Sequence, residues 1–102
     1  MAYDLQVRRG REQPELIAQI DFHEIASLCR LLSRTDSAFL QHIAGYYDDL
    51  SLDQAGIELA LNQLLPLLPQ DLRADEKAVL HKLVAALSFA KWRGLDLLGL
   101  AD

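Results

Sequence analysis

The chain has 102 residues, 51% of them hydrophobic and 25% charged, and a formal net charge of −5. That describes one domain, long enough to bury a core without disulfide or metal staples and too apolar to stay disordered. The acidic balance argues against nucleic acid and against an anionic membrane surface, because both need a basic face.

Tyr3, Leu5 and Val7 alternate with Asp4, Gln6 and Arg8, a period of two that predicts a strand. Arg8 to Pro14 is polar and reads as a turn or loop. Leu16 to Ile20 returns as a second strand or opens a helix. The strand is favoured, because Asp21 with Glu24 three residues on looks like a fresh helix start. The first helix is expected over Phe22 to Ser33, with Phe22, Ile25, Cys29 and Leu32 on its inner face. A short second helix, capped by Thr35 or Asp36, turns Phe39, Leu40 and Ile43 inward and stops at Gly45.

Tyr46 to Leu50 forms the next connection. Ser51 is expected to cap the third helix, with Gln54 completing a capping box and Asp53 in the first turn. Its main stripe is Ile57, Leu61, Leu64, Leu65 and Leu68, with Leu52 and Leu59 opposite; Pro66 and Pro69 end or kink it. The fourth and longest helix spans about Ala74 to Arg93 and closes at Gly94. Asp75 and Glu76 at its start and Lys91 and Arg93 at its end complement the helix dipole. Leu80, Leu83, Val84 and Leu87 make one stripe, and Ala78, Ala85, Phe89 and Trp92 lie roughly on the other side. A helix apolar on two faces is central or is covered by a second chain. Leu95 to Leu100 is too apolar to float free; it is expected to pack extended, with the N-terminal strand as a candidate partner.

The expected fold is therefore mainly α, about four helices with a small β or extended layer from the N- and C-terminal segments. It is a single globular domain over residues 1–102, a helical bundle or an α+β arrangement. The single cysteine, Cys29, excludes an internal disulfide and is expected in the core. A free thiol suits a reducing compartment, so the expected location is cytoplasmic. The N-terminus lacks the pattern of a signal peptide, and no apolar run approaches the ~20 residues of a membrane span.

No catalytic motif is present. His23, His42 and His81 have no partner at metal-ligand spacing, and neither His-Glu-x-x-His nor Cys-x-x-Cys occurs. Asp48, Asp49 and Asp53 do not follow the calcium-loop pattern, which needs a glycine and a glutamate at fixed places. No carboxylate is marked for acid–base work. The expectation is a protein without enzymatic activity, cofactor or metal.

The strongest signal is the distribution of charge. From Thr35 to Leu72 there is no Lys or Arg, while Asp36, Asp48, Asp49, Asp53, Glu58 and Asp71 supply six acids. The segments before and after are nearly balanced. Near its centre stands Tyr46-Tyr47-Asp48-Asp49, aromatics beside acids. Tyr is a frequent interface anchor, and a one-signed field speeds encounter with a partner of opposite charge. Tyr46, Tyr47, Asp48, Asp49, Asp53 and Glu58 are the candidate partner-binding residues. Phe89 and Trp92, with Leu52 and Leu59, either pack inward or form a self-association face. The second reading is therefore a homodimeric structural or adaptor protein.

An acidic, helix-rich chain with a Tyr pair beside acids resembles the small bacterial immunity proteins, which inhibit toxins of bacteriocin, contact-dependent and type VI systems. In the nuclease-bacteriocin group an acidic helix and a Tyr pair grip a basic toxin. Tyr46 and Tyr47, among Asp48, Asp49, Asp53 and Glu58, would be the matching residues. This chain departs from that group in having no proline after the Tyr pair and in its expected terminal strands. The resemblance implies stoichiometric inhibition of a basic partner protein, a cognate toxin with nucleases among the candidates.

Overall fold

The computed structural model describes residues 2–45 and 49–101. In chain order the described elements are β1 (Ala2–Arg8), β2 (Glu15–Asp21), α1 (Ile25–Leu31), α2 (Ala38–Gly45), β3 (Leu50–Leu52), α3 (Gln54–Leu64), α4 (Ala74–Arg93) and β4 (Asp96–Ala101). The strands form one antiparallel sheet in the order β2-β1-β4-β3. The fold is α+β: four helices on a four-stranded sheet.

The alternation of β1 sets the sheet's two faces. Tyr3, Leu5 and Val7 are buried, whereas Asp4, Gln6 and Arg8 are half-buried on the other side. Residues directly across a ladder share a face. Tyr3 stands opposite Ile20 and Ala101, Leu5 opposite Ala18 and Gly99, and Val7 opposite Leu97, so these build the helix-covered side. The register slips between Leu5 and Gln6, where Ala18 and Leu16 become successive partners. Ile17 is thus an extra, bulged residue, and Leu16 turns to the outer face, half-exposed. The C-terminal segment pairs with β1 over Tyr3↔Ala101 to Arg8↔Asp96, as its apolarity led one to expect. The three-residue β3, on its outer side, was not expected.

One apolar cluster joins Tyr3, Leu5, Ile20 and Leu97 from the sheet to Leu28, Leu31, Phe39, Leu40, Ile43, Ile57, Leu64, Leu80, Leu83 and Leu87 from the helices. The close fit is sharpest at Gly99. A Cβ there would lie 2.5 Å from the Tyr3 hydroxyl oxygen and 2.6 Å from its ring. Only glycine lets the ring of fully buried Tyr3 lie across β4.

The helix closest to its expectation is α4, which ends in Gly94 at φ +67, a conformation glycine adopts without strain. At its start Glu76 accepts the Arg73 backbone N–H at 2.9 Å. The first helix differs. Phe22–Glu24 is a 3-10 turn, α1 covers only Ile25–Leu31, and a second 3-10 turn spans Leu32–Arg34. Each 3-10 residue advances the chain by about 120° rather than 100°, so the inner face shifts to Ser27, Leu28 and Leu31. Phe22 is consequently 71% exposed, and Cys29 is exposed rather than in the core.

The caps of α2 and α3 also differ from expectation. Ser37, not Thr35 or Asp36, caps α2: its buried hydroxyl accepts the Leu40 N–H at 3.1 Å. Asp53, not Ser51, caps α3, accepting the Gly56 N–H at 2.9 Å. Ser51 pairs with Leu98 in β3, and Leu52 lies in the same strand rather than on the third helix. A 3-10 turn at Leu65–Leu67, holding Pro66, exposes Leu65 and buries Leu67 in its place.

Candidate protein-binding interface

Two regions bear on binding: the base-free segment and the outer side of α4. Tyr46, Tyr47 and Asp48 lie outside the described residues. The segment resumes at Asp49, whose carboxylate accepts the Ala101 N–H at 2.9 Å, tying the start of β3 to β4. Asp53 is bound by its capping role. Glu58, exposed on α3, comes within 3.8 Å of Lys91, a loose pair across two exposed side chains that is worth little. Asp36 and Asp71 are exposed and make no ion pair with a described residue. All five described acids of the segment thus face solvent, although two of them also hold backbone.

Three of the bases outside the segment, Arg30, Arg73 and Lys82, pair with carboxylates. Arg30 on α1 pairs with Asp75 and, at 3.2 Å, with Glu76 on α4. Glu76 is only 4% exposed, and a polar group buried so deeply needs such hydrogen-bond partners. The Ser27 hydroxyl donates to Asp75 at 2.8 Å. That hydroxyl, with the Arg73 guanidinium and the residue's own N–H, outweighs a desolvation push upward and holds the Asp75 carboxyl down to about 2. The Lys82 ammonium donates to both Glu24 oxygens, at 2.8 and 3.0 Å, and to the Gln19 carbonyl at 2.9 Å. Burial pushes the Glu24 carboxyl up, but Lys82, the Asp21 N–H and the charge of His23 leave it below its ordinary value. These contacts lock α1 and β2 to α4. Among the described residues no group of three or more His, Cys, Asp or Glu could hold a metal ion.

On α4, Trp92 is 85% exposed and Phe89 40%, so neither is a core residue. Arg93 lies over the Phe89 ring, 5.4 Å from its centroid. Leu59, also exposed, belongs to α3, and Leu52 packs against the core from β3. Of the four candidate self-association residues, Phe89 and Trp92 are exposed on α4 and Leu59 on α3, whereas Leu52 packs inward. Sequence periodicity puts Phe89 and Trp92 opposite the leucine stripe but leaves open whether they pack inward, and the structure exposes both. Sequence reading missed the Ser27–Arg30–Asp75–Glu76 network, whose partners stand more than forty residues apart.

Among the described residues no helix is long and apolar enough to cross a membrane. Compared with known proteins, the chain matches no family, no curated protein and no solved structure.

Proposed function

We propose that this chain is a stoichiometric protein-binding inhibitor, a cytoplasmic immunity protein that neutralises a basic bacterial toxin and catalyses nothing. The observation that carries this reading is the separation of charge. Every described acid between Thr35 and Leu72 is exposed, that segment has no base, and Arg30, Arg73 and Lys82 are engaged by carboxylates elsewhere. Such a surface attracts a basic protein and repels an acidic one. Tyr46 and Tyr47 are the anchors, Glu58 and Asp48 steer, and Asp49 and Asp53 add charge while holding β4 and α3.

The test begins with capture from the native host at low and high salt. A single basic protein held at low salt and weakened at high salt is the expected result. With that partner in hand, Tyr47→Ala should raise the dissociation rate with little effect on association. Glu58→Gln should lower the association rate, and less so at high salt. Unchanged kinetics for both variants would remove this surface from the binding site.

A further inference from the structure

We draw no further inference here: the strongest candidate, the exposed outer face of α4 that carries Phe89 and Trp92, has its neighbouring Lys91 paired with Glu58, and nothing in the structure shows what covers it.

Discussion

At Gly99 the structure tolerates no side chain, although the backbone there is ordinary for any residue. The obstacle is the Tyr3 ring, 2.6 Å from where a Cβ would stand. Gly99→Ala should therefore lower stability by about 2–3 kcal/mol in urea denaturation, the upper range for overpacking a core. Tyr3→Phe combined with Gly99→Ala should recover little, because the ring as well as the hydroxyl obstructs. Ser27 offers a second residue-scale test. The folded-state values of Asp75 and Glu24 lie below their ordinary ones, so between about 4.5 and 2 the unfolded chain holds more protons than the folded chain. Stability from these groups is complete above that window and is lost as pH falls through it. Ser27→Ala removes the largest influence on Asp75 and should move the acid unfolding midpoint upward when followed by circular dichroism. An unchanged midpoint would mean that the arginines alone set the Asp75 carboxyl.

Helix boundaries in this chain are decided by which of several capable residues reaches an N–H. Asp53→Ala should cost about 1 kcal/mol, the usual loss for a cap, while Ser51→Ala should stay within about 0.5 kcal/mol; the reverse order would restore Ser51 as the cap. Both Ser51 and Asp53 fit the local pattern. Their difference is set from a distance: Gln54, the expected capping-box partner of Ser51, donates instead to the Leu95 carbonyl at 2.7 Å, and Ser51 is drawn into β3 beside Leu98. The elements with long, uninterrupted periodicity were legible in the sequence. They include β1, the inward Phe39, Leu40 and Ile43, and α4 to its Gly94 cap; β2 is favoured over a helix only by the fresh start at Asp21, and the tail is legible by its apolarity alone. Helix one was legible as a helix but not in phase, because a 3-10 turn at Phe22–Glu24 rotates the residues of α1 relative to a continuous helix. Cys29 and Phe22 went outward with that rotation. Ser27 went inward because Asp75, far along the chain, receives its hydroxyl. The candidate site was legible as charge, which needs only composition. The structural duties of Asp49 and Asp53 were not, since the N–H groups they hold belong to backbone whose place the fold decides.

At the scale of the molecule, the sheet must keep its two edges from recruiting other strands. The β3 edge is only three residues long. The β2 edge is longer, but it is bulged at Ile17, and Lys82 occupies the Gln19 carbonyl. Lys82→Ala should free that carbonyl and leave Glu24 without its cation. Stability should fall by about 1 kcal/mol, and light scattering should grow on prolonged incubation. Scattering equal to that of the parent protein would leave the bulge as the sole guard of this edge. The middle of the sheet raises a different matter, one of time. Its two central strands are β1 and β4, and the ladder sets Tyr3 against Ala101. Closing a loop on the order of 90 residues rather than 10 adds about 2 kcal/mol of chain entropy, enough to slow that encounter roughly thirtyfold. The β1–β2 hairpin and the helices need no such closure and form first. Until β4 arrives, Tyr3, Leu5 and Val7 belong to a hairpin with an unpaired inner edge. The moment of greatest risk for this protein is therefore late in folding, and the seam between its first and last strands is where a chaperone would have most to do.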